Sequence, residues 1–273
     1  MAKDLELFVD SRFITRAVEC RGDKIIWKDV DGNDVDYDFA FELGGTTASK
    51  GVPVGFVETF WRRGSRHSKD KARDDTGKLV PMRATYPTAR YLGIVSGGDF
   101  TEPARDLVSS RGVHLFYVPK AKIVAAFKAC GVVIDYADNL DEASKAEILK
   151  DAEVGFAPDN AKKSADKLCA LVGQSSLNAF QLHVRSSISS LPQEIRIQES
   201  RHSEPAVFDA VAKATDFLDD PVFSNKPHAT TYRYSITYSD GTDFSRDVDS
   251  LASLRVLHAS IASLADHMER LSS

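Results

Sequence analysis

The chain has 273 residues, 42% of them hydrophobic and 27% charged, with a net charge of −5. That length allows one large core or a core with a smaller module, and the mild acidity argues against a chain that coats nucleic acid by net charge alone. Cys20, Cys130 and Cys169 are isolated, with no Cys-x-x-Cys pair, and no apolar run reaches membrane-spanning length; with MAKDLELF lacking a signal-peptide pattern, the expected setting is a reducing cytoplasm, without a disulfide framework, zinc site or membrane anchor.

In chain order, residues 3–20 read as a helix, with Leu5, Phe8 and Val9 sharing a face and Phe13 and Ala17 further along. Residues 24–30 (KIIWKDV) and about 35–43 read as strands around the turn residues Asp31-Gly32-Asn33-Asp34. In the second strand Val35, Tyr37, Phe39, Phe41 and Leu43 alternate with Asp36, Asp38, Ala40 and Glu42, so period two separates aromatics from carboxylates. The stretch 44–51 (GGTTASKG) reads as a flexible loop. Residues 52–61 (VPVGFVETFW) form an apolar run that suits a central strand, and Glu58 lies within it. A helix is expected over about 65–75, with His67, Lys71 and Asp74 on one face. Strand 91–96, helix 102–110 with Thr101 as N-cap, strand 113–118 and helix 120–129 follow. Beyond them, 138–192 reads as mostly helical, 194–198 as a short strand and 205–218 as a helix. Strands 231–238 and 243–248 form a hairpin around Ser239-Asp240-Gly241-Thr242, and 250–271 is a long amphipathic helix. The fold class expected is α/β (α+β), a mixed central sheet flanked by helices with a C-terminal α/β extension. The boundary is read near the Pro/Asp/Asn stretch, giving 1–157 and 158–273.

A carboxylate in a buried strand is costly unless it is paired or holds a metal. Glu58 and Asp38, on neighbouring strands, are therefore a candidate divalent-cation pair. Six Lys/Arg residues lie between Trp61 and Asp75, and such a run beside a metal strand suits phosphate contact. Asp36 and Glu42 share the face of Asp38 and are read as solvated edge carboxylates rather than ligands. A structural salt bridge from Glu58 to Arg62 is the plain alternative. Other motifs fail: Asp36 stands where a calcium loop starting at Asp31 requires Gly, and the chain has no P-loop, GxSxG or HExxH.

The order of elements over about residues 3–118, with Asp38 on the second strand and Glu58 on the third, resembles the PD-(D/E)XK nuclease superfamily, which includes most type II restriction endonucleases. FVETFWRRGSRHSKDKARDD (56–75) is similar to a group of restriction-endonuclease-like proteins at Glu58, Trp61, Arg62, Arg63, His67, Ser68, Lys71 and Ala72, and YRYSITYSDGTDF has an analogue in that group. The sequence departs from the superfamily at two points: Tyr37 precedes Asp38 in place of proline, and Phe60 stands where the lysine belongs.

The resemblance implies a restriction-endonuclease-like core and Mg²⁺-dependent hydrolysis of double-stranded DNA, with Mn²⁺ as a substitute. Asp38, Glu58 and the Thr59 carbonyl would hold the metal. Lys71 would supply the missing cation, with Lys69 and Arg62 as alternatives; Glu6 and His67 would be auxiliary. Arg62, Arg63 and Arg66 would contact DNA, and 44–51 and 224–230 are candidate base-reading loops. A homodimer acting beside a cognate methyltransferase is expected. Two other readings stand beside this one: a non-catalytic DNA-binding or assembly subunit with a nuclease-like fold, and a structure-selective repair nuclease.

Overall fold

The structure is a computed structural model that describes residues 1–11, 14–22, 24–137, 139–199, 204–225 and 231–272. A 3-10 turn, Lys3–Leu5, is followed by β1 (Leu7–Ser11), β2 (Cys20–Arg21), β3 (Lys24–Lys28), β4 (Asp34–Asp36), β5 (Phe39–Leu43) and β6 (Val52–Arg62). Then come α1 (Ser68–Thr85), β7 (Tyr91–Gly98), α2 (Glu102–Ser110), β8 (His114–Pro119) and α3 (Lys120–Lys128). Three helices follow, α4 (Glu142–Gly155), α5 (Pro158–Val172) and α6 (Gln174–Ile188). The chain continues with β9 (Pro192–Glu199), β10 (Ala206–Phe208), α7 (Val211–Asp219), α8 (Pro221–Asn225), β11 (Tyr232–Tyr238), β12 (Asp243–Val248) and α9 (Leu251–Ser272).

The architecture is α/β, with a mixed central sheet in the order β1-β5-β6-β7-β8 flanked by helices. β1 runs antiparallel to β5, and β7 parallel to β8. The parallel pair needs a crossover, which α2 supplies. A four-stranded antiparallel sheet, β10-β9-β11-β12, and a three-stranded one, β2-β3-β4, complete the strands. No helix among the described residues is long and apolar enough to cross a membrane.

The chain forms two compact units: Met1–Phe56 with Leu79–Leu92 and Val184–Ser273, and Val57–Lys78 with Gly93–His183. The boundary read at 157/158 falls between α4 and α5, both in the second unit. In the first unit, β9 and β11 supply Ile195, Ile197, Tyr232, Tyr234 and Ile236 to a core closed by Ala214 and Leu218 of α7 and Leu254, Leu257 and Ile261 of α9. Alternate residues of β11 and the i, i+3, i+7 stripe of α9 meet there, as their periods require. Trp27, Tyr37, Phe56 and Tyr86 form an aromatic cluster in the same unit, with Tyr37 and Phe56 ring centres 4.6 Å apart.

Several expectations are corrected. Residues 7–11 form a strand, not part of a helix: the five-residue pairing of β1 with β5 overrides a spacing compatible with either state. Phe13 lies outside the described residues. Strand 35–43 breaks at Tyr37–Asp38, so β4 joins the three-stranded sheet and β5 the central one. Alternation fails in β5, where Ala40, Phe41 and Glu42 are all buried. The expected helix 65–75 starts at Ser68 and continues through Pro81 to Thr85, and His67 lies outside it with φ +62°. Residues 205–218 split into β10 and α7.

Candidate functional site

Glu58 lies on β6 and is 5% exposed. Its neighbours Val54, Phe56 and Val57 are buried, as expected of a central strand. α1 brings Lys71, Asp75 and Lys78 onto one face, at steps of four and three residues. Lys78 Nζ donates to Glu58 Oε1. One turn earlier Lys71 Nζ donates to Asp75 Oδ1 at 2.6 Å and lies 5.3 Å from the centre of the Phe60 ring. Glu58 and Phe60 are two apart on the strand, so they share a face. The result is a set of two buried carboxylates and two half-buried lysines, all within the second unit. Asp75 is 4% exposed, and burial raises its carboxyl above the usual range against the opposing pull of Lys71. Its Oδ2 has no hydrogen-bond partner among the described residues.

Lys78 is thus an ion partner of Glu58, where the sequence suggested Lys71 for the site's cation and Arg62 for a plain salt bridge. Lys78 and Asp75 were missed, although the i, i+4, i+7 spacing from Lys71 was available as a signal.

The other sequence candidates lie on several elements. Asp38 belongs to the first unit, where it is largely buried at the break between β4 and β5, with Lys24 Nζ 2.7 Å from its Oδ1. Thr59 follows Glu58 and is half-buried. Glu6 is not on a helix: it ends the 3-10 turn with φ +51°, and its exposed carboxylate lies 3.8 Å from Arg270. His67, whose Nδ1 lies 3.1 Å from Asp70 Oδ2, is exposed, as are Lys69 and Arg66. Arg62 is half-buried. Arg63 stacks over the Tyr136 ring at 4.3 Å and donates to the Tyr136 carbonyl at 2.8 Å, so this member of the basic run holds a loop.

Glu42 corrects the reading of a solvated edge carboxylate. It is fully buried, accepts from Arg16 through both oxygens, and takes the Gly51 N–H at 2.6 Å. Asp10 lies 3.5 Å from the same guanidinium, and its carboxyl is raised mainly by burial, with Arg16 opposing. The loop 44–51 is accordingly tied down rather than flexible. Thr46 bonds Ser49, Arg16 holds the Ser49 carbonyl, and Lys50 reaches the Ile26 carbonyl. A Cβ at Gly45 would stand 2.5 Å from Glu42 Oε2. Of the second candidate base-reading loop, residues 226–230 lie outside the described residues.

Among the described residues no group of three or more His, Cys, Asp or Glu side chains could hold a metal ion. The Glu58–Asp75 region offers oxygen donors alone, a set suited to a hard cation that keeps most of its waters. No protein-family model, curated protein or solved structure matches this chain significantly.

Proposed function

We propose that the chain is a divalent-cation-dependent deoxyribonuclease of restriction type, and the observation that carries this reading is Glu58 buried on a central strand and paired with Lys78. A buried acidic group with a lysine from the next helix has the elements of phosphodiester hydrolysis: an oxygen ligand, and a cation for the charge that develops at phosphorus. Lys78 takes the role of the lysine displaced by Phe60, in place of Lys71. When bound, Mg²⁺ would lower the pKa of an attacking water and act as a Lewis acid. Glu58 is its protein ligand in this reading, with the Thr59 carbonyl beside it. Asp38 joins only through the sequence resemblance. Arg62 and Arg66 are the phosphate contacts of the basic run, and double-stranded DNA is the substrate. A twofold dimer follows from cutting both strands of a palindrome, and a methyltransferase modifying the same site is the partner such an enzyme needs.

Cleavage of unmethylated phage DNA with Mg²⁺ tests the reading. The expected result is discrete fragments with the wild type and at least a hundredfold less cutting with Glu58→Gln and with Lys78→Ala. No cutting of plain or modified DNA with Mg²⁺ or Mn²⁺ would replace it with the non-catalytic subunit, which Phe60 in the lysine position favours. Cutting governed by DNA shape alone would point to a repair nuclease.

A further inference from the structure

We propose that Asp75 and Glu58 bind one divalent cation between them, so that a carboxylate from helix α1 completes the site. This rests on the reading of Glu58 as a cation ligand and adds a residue that neither the sequence pattern nor the resemblance assigns.

The argument starts from the helix face. Lys71 points at Phe60 and Lys78 at Glu58. Asp75 lies between them on that face, and Lys78, which pairs with Glu58, also acts on the Asp75 carboxyl. It is 4% exposed, and only one oxygen is accounted for: Oδ1 accepts from Lys71 at 2.6 Å, while Oδ2 is buried with no hydrogen-bond partner among the described residues. Native structures rarely leave a buried carboxyl oxygen unsatisfied, and a bound cation is one of the groups that can satisfy it. The pairing of Glu58 with an ammonium marks a place that accepts positive charge. Two carboxylates with water filling the remaining positions is the number Mg²⁺ and Mn²⁺ prefer. Lys78 then competes with the metal for Glu58, and loading releases it toward the substrate phosphate.

The test is Mn²⁺ binding to the EDTA-treated full chain, by calorimetry and by the shift in Tm, with DNA cleavage measured in parallel. The wild type is expected to bind one Mn²⁺. Asp75→Asn keeps the size of the side chain and is expected to weaken binding at least tenfold. Lys78→Met removes the competitor and is expected to tighten it several-fold while abolishing cleavage, a gain that loss of folding could not mimic. Wild-type binding by Asp75→Asn, or no Mn²⁺ binding by the wild type, overturns the proposal. If Asp75→Asn does not fold, Lys78→Met decides: unchanged affinity overturns it. Cleavage that survives with Asp75→Asn binding Mn²⁺ normally removes the proposal and keeps the nuclease. Binding that needs Asp75 in a chain that cuts nothing does the reverse.

Discussion

Glu42 and Asp36 show how differently two carboxylates of one short segment can weigh on stability. Glu42 is fully buried and held by Arg16, whereas Asp36 is half-buried on β4. Removing one partner of a buried pair leaves the other charge uncompensated, at a cost of about 3–5 kcal/mol. Glu42→Ala is therefore expected to lower stability by roughly that amount, seen as a drop in urea midpoint with unchanged slope. Asp36→Ala is expected to change it by less than about 1 kcal/mol. Equal effects would show that the Arg16 cluster contributes little.

At the scale of elements, the ends of β6 and β7 depend on a close backbone approach. Gly98 has φ +101°, and a Cβ there would stand 1.8 Å from the Arg62 carbonyl oxygen, while the next amide, Asp99 N–H, bonds that same oxygen at 2.8 Å. Gly98→Ala combines an unfavourable φ with a backbone clash, so a loss of about 2 kcal/mol or more is expected, measurable by chemical denaturation. β8 and α6 meet through a titratable contact: His114 stacks on His183 with ring centres 3.8 Å apart, and Phe180 lies 5.8 Å away. Burial first, and the charge of His183 second, lower His114 from 6.5 to about 4. The unfolded chain binds the extra proton first, so stability is full above pH 6.5, falls as pH drops toward 4, and levels below that. The expected loss is roughly 1–2 kcal/mol, reduced from the full shift because water screens a partly exposed ring. His114→Phe should flatten the stability profile between pH 6.5 and 4; an unchanged profile would assign that dependence elsewhere.

For the whole molecule, the C-terminal helix decides whether the second antiparallel sheet has a core. Leu254, Leu257 and Ile261 are 0%, 4% and 2% exposed against β9 and β11. His258 lies among them, taking the Tyr234 hydroxyl on Nδ1 at 2.8 Å and meeting Thr215 through Nε2 at 2.9 Å. Thr215 already donates to the Val211 carbonyl, so a neutral imidazole with its proton on Nε2 satisfies every group. Burial lowers the pKa of this ring, consistent with the neutral form. Ending the chain after Ser250 strips one side from that core. The expected result is dye-binding apolar surface and loss of cooperative unfolding in β9–β12; a cooperative transition like that of the full chain would show that α9 is dispensable.

What the sequence determined by itself was local. The apolar run of β6, the helical tract of α4 to α6, the β11–β12 hairpin with Gly241 at φ +78°, and the amphipathic α9 all follow from periodicity and turn chemistry acting over a few residues. The burial of Glu58 on its strand was also legible, because one carboxylate in an apolar run is conspicuous. Tertiary structure decided the rest. Residues 7–11 became a strand because β5 lay beside them. Glu42 became a buried ion partner because Arg16, 26 residues earlier, came to meet it. Lys78 met Glu58 while Lys71 met Asp75 and Phe60 because the packing of α1, and not the spacing of charges along it, sets what each turn faces. Each outcome depends on groups far apart in the chain, and the free energy of burying or pairing them appears only once the chain has brought them together.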